Sequence, residues 1–178
     1  DFAGMHPELW AKKITAPFQA LYTTGIGRLS RALSFGLKDS VSHVVELQNF
    51  LVNCKTSGDL EKEIESNSAF ALKYREILKK YNSLLDAAKL SVAGKYLIFN
   101  YSGTLSISSD LSNELSYIFP KKYICVAYSS GSLTNISLRG DNVKNILGQI
   151  LPNFVGATGG GHKDAVGARI QTNELDKF

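Results

Sequence analysis

Cysteine is nearly missing from this sequence, and so is any long apolar run. Cys54 and Cys125 stand far apart and form no C-x-x-C pair, which excludes a zinc knuckle and a disulfide framework and predicts reduced thiols. No stretch approaches the roughly 18–20 apolar residues that cross a bilayer, and residues 1–10 lack a signal-peptide core. We therefore expect a cytoplasmic protein with no membrane partner.

Charge of one sign is also scarce. The 178 residues carry 20 Lys and Arg against 16 Asp and Glu, a net charge of +4, and no segment is a polybasic tail. So small an excess permits a polyanionic partner such as nucleic acid without requiring one. Hydrophobic residues make up 44% of the chain, which excludes a disordered protein and fits one large or two small domains.

The start of the sequence has no initiator methionine. The first residue is Asp1, and the only methionine of the chain is Met5. We therefore expect the chain to be a fragment or a processed piece of a longer protein, whose other segments supply further chemistry.

Short helical patterns broken by turns fill residues 1–58. Pro7 can open a helix over 8–14. Farther along, Asp39 or Ser40 can cap a helix with an apolar side. This segment is therefore predicted to be helical.

Residues 59–91 have the most regular pattern of the chain. Apolar side chains from Phe70 to Ala88 recur at helical spacing, charged residues occupy the other faces, and Gly94 follows as a stop signal. The pattern predicts one long amphipathic helix that connects two domains, with Ser66 or Asn67 at the start of its regular part.

After Gly94 the apolar period changes from helical to alternating. It predicts strands over 95–101, 123–129, 133–139 and 168–172, and helices over 110–119, 143–151 and 162–167. Asp141 or Asn142 is expected to cap the second of these helices. We predict an α/β fold: a helical N-terminal portion and a connector helix, then a compact mixed-sheet domain over 92–178 with helices on one face.

Three successive glycines, residues 159–161, directly precede the short helix predicted over 162–167. Glycine lets the backbone approach a ligand, and a helix N-terminus favours an anion such as phosphate. His162 can donate a hydrogen bond to the same anion, and Lys163 adds a charge. The alternative interpretation of the glycines is a flexible connection without a ligand. Asp164 is interpreted as an acid in the first turn of the predicted helix that complements the helix dipole.

Arg139 ends the strand predicted over 133–139, where the chain turns toward the next helix. Open α/β sheets commonly hold ligands at such an edge, and arginine can bind phosphate through two parallel hydrogen bonds. Alone, Arg139 is interpreted as a solvated rim residue. Together with the glycine segment it predicts a phosphate-binding site.

These motifs resemble the C-terminal substrate-binding domain of the DHH phosphoesterase superfamily. That domain closes with a serine-x-arginine strand and a later G-G-G-H-x-x-A-x-G. The matching residues here are Ser137, Leu138 and Arg139, then Gly159, Gly160, Gly161, His162, Ala165 and Gly167. Upstream, Gly27-Arg28-Leu29 and residues 39–47 resemble the end of the catalytic domain in RecJ-type single-strand exonucleases, and 59–91 resembles the connector of that branch.

The resemblance implies three parts: residues 1–58 as the tail of a catalytic domain, 59–91 as a connector helix and 92–178 as a nucleic-acid-binding domain. In the matched family the glycines, the histidine and the strand arginine hold a substrate phosphate. The corresponding residues here are Gly159, Gly160, Gly161, His162 and Arg139. Lys163 and Arg28 are further candidates for substrate binding.

The resemblance also implies a parent enzyme that hydrolyses phosphodiester bonds in single-stranded nucleic acid or short oligonucleotides with two manganese or magnesium ions. This sequence has no Asp-His-His tripeptide, and His6, His43 and His162 lie far apart. The acids of residues 1–58 have no spacing that would bridge two ions about 3.5–4 Å apart. We therefore assign no catalytic residue, metal ligand or cofactor to this chain and expect no cleavage by it alone.

Two alternatives to a single-strand exonuclease stay open. One is a catalytically silent RecJ-like scaffold in a replication helicase complex, with replication proteins as partners. The other is a phosphodiesterase of the same superfamily that acts on short oligonucleotides or cyclic dinucleotides. The main prediction is binding of single-stranded DNA or RNA, or of short oligonucleotides, through phosphate contacts, which do not distinguish the two sugars.

Overall fold

A computed structural model describes residues 2–10 and 13–178 of the chain. Within them the chain forms eight α-helices and one six-stranded mixed sheet, which confirms the predicted α/β fold with a helical N-terminal part. The chain divides into two compact units, one ending at Lys80 and the other spanning Tyr81–Phe178. Every helix of the described residues is too short or too polar to span a bilayer.

The first unit is helical. Its elements are α1 (Phe2–Met5), a 3-10 helix at Pro7–Leu9, α2 (Pro17–Thr23), α3 (Gly25–Gly36), α4 (Val41–Asn53), α5 (Ser57–Glu65) and the first half of α6 (Ala69–Lys89). The helix predicted over 8–14 is wrong where the structure describes it, because Trp10 takes an extended backbone that ends the 3-10 turn, and residues 13 and 14 are not helical. Residues 11 and 12 lie outside the described residues.

Two glycines let neighbouring helices pack closely against α3. A Cβ on Gly27 would collide with the backbone oxygen of Ala20 in α2. A Cβ on Gly36 would lie 2.7 Å from Leu47 of α4 and 2.7 Å from the Phe70 ring. The backbone contact excludes a side chain at Gly27, so this glycine of the Gly-Arg-Leu motif has a packing role, whereas a side chain at Gly36 would have to displace those of Leu47 and Phe70.

The single helix predicted over 59–91 is two helices, α5 and α6, separated by residues 66–68. Ser66 Oγ accepts the N–H of Ser68 at 3.0 Å, and Ser68 Oγ accepts the N–H of Ala71 at 3.1 Å. Serine side chains that bond to the backbone in this way begin a new helix. The prediction failed here because apolar periodicity does not report such local hydrogen bonds.

The second unit begins within α6 and contains the whole sheet. Its strands are β1 (Val92–Ala93), β2 (Tyr96–Ser102), β3 (Tyr123–Ser130), β4 (Leu133–Arg139), β5 (Thr158–His162) and β6 (Ala165–Gln171), and its further α-helices are α7 (Ser108–Ile118) and α8 (Val143–Ile150). The spatial order is β1-β2-β3-β4-β6-β5. The β2–β3 pair, joined through α7, is parallel, and every other pair is antiparallel.

The helices α7 and α8 lie on opposite faces of this sheet. Ser137 Oγ of β4 donates to Ser108 Oγ of α7 at 3.1 Å. The preceding residue, Ile136, packs in one core cluster with Val143 and Leu147 of α8. Because successive strand residues point to opposite faces, the prediction that the helices cover one face is wrong.

The helix predicted over 162–167 is also wrong, because residues 158–171 form the hairpin of β5 and β6. Alternate residues of β6 are buried, namely Val166, Ala168 and Ile170. This period of two is that of a strand, and Gly161 has a φ of +146°, which a helix excludes. The glycines therefore belong to a strand, and no helix N-terminus follows them to bind phosphate.

Candidate functional site

The three adjacent strands β4, β6 and β5 bring the main predicted residues together. Arg139 of β4 pairs with Ala165 of β6, and Ala165 pairs with His162 of β5. Directly paired residues point to the same face of a sheet. Arg139 and His162 therefore flank Ala165 on the face that α7 covers in part.

The guanidinium of Arg139 is held by α7 and by two backbone carbonyls. Its Nε donates to Asn113 Oδ1 at 2.7 Å, and its Nη2 donates to Ser109 Oγ at 3.3 Å. Its Nη1 donates to the carbonyl oxygens of Leu138 and Val166 at 2.7 and 3.3 Å. Burial lowers the pKa of Arg139 below its usual value. One Nη2 hydrogen is left over, and none of the described carboxylates pairs with this cation.

An open cleft of 580 Å³ joins Arg139 to the turn of the β5–β6 hairpin. Its charged side chains are Lys122, Arg139, Lys163, Asp141 and Asp164. Lys163 Nζ lies 3.6 Å from Asp141 Oδ1, but both side chains are at least 70% exposed, so this ion pair is weak. The cleft has an excess of positive charge and suits an anionic ligand.

The hairpin turn is fixed to the loop that follows β4. The carbonyl oxygen of Asp164 accepts the N–H of Gly140 at 3.1 Å, and Asp164 Oδ1 accepts the N–H of Asn142 at 2.9 Å. The carbonyl oxygen of Lys163 accepts the N–H of Lys144 at 3.1 Å. These three bonds fix the end of β5 relative to the end of β4.

The helical roles predicted for Asn142 and Asp164 are wrong. Asn142 occupies the N-cap position of α8, but its φ is +55° and its side chain does not cap the helix. Asp164 is not in the first turn of a helix of its own, because residues 162–167 are not helical, and its carboxylate accepts the N–H of Asn142 and so positions the turn. Capping of α8 by Asp141 or Asn142 was expected from residue type alone. In the structure the N–H of Lys144, in the first turn of α8, is accepted by the carbonyl oxygen of Lys163, which lies far away in the sequence.

The three glycines of β5 differ in what the fold requires of them. A Cβ on Gly159 would lie 2.8 Å from the carbonyl oxygen of Gly167, and one on Gly161 would lie 2.5 Å from that of Ala165. A Cβ on Gly160 would have no atom within 4 Å. Packing therefore explains Gly159 and Gly161, whereas the open backbone at Gly160 is accessible to a ligand.

Arg28, the remaining candidate, belongs to the other unit. It lies on α3 in the first unit, where Nη2 is 3.0 Å from Glu61 Oε1 and Nη1 is 3.3 Å from Glu65 Oε1. Both carboxylates belong to α5. These ion pairs give Arg28 a role in joining two helices of its own unit.

Sequence analysis missed several polar residues of this face. Ser109 and Asn113 are four residues apart and thus share one side of α7, but their strand partner, Arg139, was not evident from that spacing. Lys122 lines the cleft. Arg169 is exposed, and its Nε donates to Asn135 Oδ1 at 3.0 Å. The period-two spacing of β6 was the signal for Arg169, and it was hidden by the helix predicted there.

A two-metal centre needs several carboxylate or imidazole ligands around ions about 3.5–4 Å apart. Within residues 2–10 and 13–178, no three His, Cys, Asp or Glu side chains gather to hold a metal ion. These residues do not fit the metal centre that the family resemblance implies for the parent, so no chemical step is assigned to a metal here.

No protein-family model and no curated protein matches the sequence. RecJ and a phosphodiesterase are among the solved structures that share its fold. RecJ from Thermus thermophilus, solved in complex with Mg²⁺, matches with a TM-score of 0.63 and 9% identity over 89% of this chain and 26% of its own. PggH from Vibrio cholerae, a pGpG-specific phosphodiesterase, matches with a TM-score of 0.54 and 11% identity over 99% of this chain and 64% of its own.

The fold of this chain is therefore the one seen in RecJ and in PggH. The resemblance inferred from the motifs is confirmed at the level of the fold. At 9% and 11% identity the likeness extends to the fold and not to the activity. The chain spans about a quarter of the length of RecJ and less than two thirds of that of PggH.

Proposed function

We propose that this chain is the substrate-binding part of a RecJ-like phosphodiesterase and binds single-stranded nucleic acid or short oligonucleotides through their phosphates. One observation carries the proposal: the half-buried guanidinium of Arg139, with no carboxylate partner among the described residues, lies in a positive cleft beside His162. A partly buried cation without a counter-ion favours an anionic ligand.

Three donors of different chemistry border this cleft. They are the unused N–H of Arg139, the imidazole of His162 and the ammonium of Lys163. Phosphate offers several acceptor oxygens together with negative charge, so it can use all of these groups. The open backbone at Gly160 allows a polymer to approach the strand closely.

The shared fold favours nucleotides over other anions, because RecJ and the pGpG-specific phosphodiesterase PggH have the same architecture. Since the described residues do not gather metal ligands, we assign binding and not cleavage to them. In the whole protein we place the cleavage step, with its manganese or magnesium ions, outside these residues.

Fluorescence anisotropy with a labelled single strand tests the proposal. Affinity is expected to fall with salt, with a slope of about −0.7 in log K for each phosphate neutralised. His162→Ala and Lys163→Ala are each expected to weaken binding about tenfold. Lys177→Ala removes an exposed cation outside the cleft and serves as the matched control.

Arg139→Ala is a less suitable first variant, because it also leaves Asn113 and two carbonyl oxygens without their partner. Absence of binding, binding independent of salt, or equal affinity in His162→Ala and Lys177→Ala would each contradict the proposal.

A further inference from the structure

Two glycines lie side by side next to the cleft and leave the sheet surface bare. Gly167 of β6 pairs with Gly160 of β5, and both are exposed. A Cβ on Gly167 would meet only the carbonyl oxygen of Ile136 at 3.7 Å, an ordinary contact, and one on Gly160 would meet nothing within 4 Å. The fold requires neither glycine, and we call this pair the glycine floor.

Polar groups bound the glycine floor at both ends. Arg139 and His162 stand at one end. At the other end the register places Arg169 between Asn135 and Thr158. Because the period of a strand is two, these side chains share the face of the floor, and the two ends are about 13 Å apart at about 3.3 Å per residue.

The guanidinium of Arg169 is oriented but incompletely bonded. Its Nε donates to Asn135 Oδ1 at 3.0 Å, which fixes the plane of the group. Its two Nη groups have no partner, and no carboxylate pairs with it, in the part of the chain that the structure describes. Two parallel N–H donors on an exposed guanidinium match two oxygens of a phosphate.

We propose that Arg169 forms a second phosphate subsite, so that the preferred ligand is a single strand long enough to reach both ends of the glycine floor. One phosphate lies beside Arg139 and His162, another lies beside Arg169, and the sugar–phosphate backbone between them lies on the glycine floor. This inference rests on the proposed function and adds a length requirement to it. A dinucleoside monophosphate has one phosphate and cannot occupy both ends.

The test measures the affinity of the full chain for single strands of two to six nucleotides without terminal phosphates. Arg169→Gln is compared with Lys177→Gln, which removes an exposed cation away from the floor. For the longer strands, Arg169→Gln is expected to weaken binding about tenfold and to reduce the salt slope by about 0.7. Neither variant is expected to change the affinity for the dinucleoside monophosphate.

Gly167→Ala is a second variant that keeps every charge. Its methyl group projects from the glycine floor at 3.7 Å from the Ile136 carbonyl oxygen of the neighbouring strand β4, an ordinary contact, so the fold tolerates it. This variant is expected to lower the affinity for the longer strands more than the affinity for the dinucleoside monophosphate.

The possible failures are distinguishable. If no strand of any length binds, the proposed function is overturned together with this inference. If His162→Ala lowers the affinity for all strands but Arg169→Gln binds them as tightly as Lys177→Gln does, the second subsite alone is overturned. The bond of Arg169 to Asn135 is then only a contact within the sheet. If Arg169→Gln lowers the affinity for strands of every length by the same factor, the length requirement is overturned.

Discussion

Among single residues, the glycines of β5 show how a motif combines structural and binding requirements. Gly161 is needed for its backbone, since its φ is +146° and a Cβ would lie 2.5 Å from the carbonyl oxygen of Ala165. Gly160 has no such constraint. The two positions are adjacent, so substitutions there separate folding from ligand binding.

We expect Gly161→Ala to lower the free energy of unfolding by about 1–3 kcal/mol, because alanine is strained at this φ. Gly160→Ala should leave stability unchanged or raise it by about 0.5 kcal/mol, yet weaken single-strand binding by covering the open backbone. Urea unfolding and anisotropy on the same samples provide the two measurements.

Gly148→Ala in α8 is the control for Gly160→Ala. A Cβ there also meets open space, and alanine is favoured over glycine in a helix by about 1 kcal/mol. It should therefore gain stability without a change in affinity. If Gly160→Ala bound as tightly as the wild-type chain, the backbone of β5 would not be part of the ligand contact.

The sequence analysis predicted that Arg139 and His162 belong to one site, but the local structure on which that prediction rested is wrong. The prediction placed His162 at a helix N-terminus after a glycine loop, whereas the two residues meet through the register of three strands across Ala165. Register is set by contacts between distant parts of the chain. Phosphate binding by these residues stays a prediction.

Among the elements, the beginning of α5 depends on one carboxylate. Asp59 Oδ2 accepts the N–H of Lys55 at 2.9 Å and that of Thr56 at 3.0 Å. These two hydrogen bonds lower the pKa of Asp59. A group whose pKa is lowered on folding contributes stability above its unfolded pKa and loses that contribution as the pH falls through the folded value.

Asp59→Asn is therefore expected to reduce stability at neutral pH. The difference from the wild-type chain should be complete above pH of about 4 and should shrink at lower pH, since Asp59 then becomes neutral in both states. Denaturant unfolding at several pH values measures this difference. Glu46→Gln, at an exposed position of α4, should show no such dependence, and a constant difference for Asp59→Asn would contradict the assignment.

The elements that the sequence predicted well are those with long, regular patterns. The strand predicted over 133–139 has the observed bounds of β4, and α7 and α8 lie within one or two residues of their predicted limits. The failures at residues 66–68 and 162–167 arose where a serine side chain or a glycine backbone overrides the pattern. The assignment of α7 and α8 to opposite faces depends on packing, which the period of a single helix does not specify.

For the whole molecule, the two compact units each have a buried core of their own. Leu29, Phe35 and Leu47 belong to the first, and Ile136 and Leu147 belong to the second. Chains with more than one unit commonly depart from two-state unfolding.

Trp10 is the only tryptophan and lies in the first unit, so its fluorescence reports on that unit. In a urea titration we expect the midpoint of tryptophan fluorescence to differ from that of the far-ultraviolet circular dichroism, to which both units contribute. Superimposable transitions would show a single cooperative unit instead.

β5 is the terminal strand of the sheet, and its outer edge has no neighbouring strand among the described residues. Such an edge is a template on which another copy of the chain can add a strand and start aggregation. A run of three glycines is a poor template, because glycine strands are intrinsically weak and have no side chains to interlock. A substitution that raises the β-propensity of this strand, for example valine at position 160, would therefore lower solubility and favour self-association.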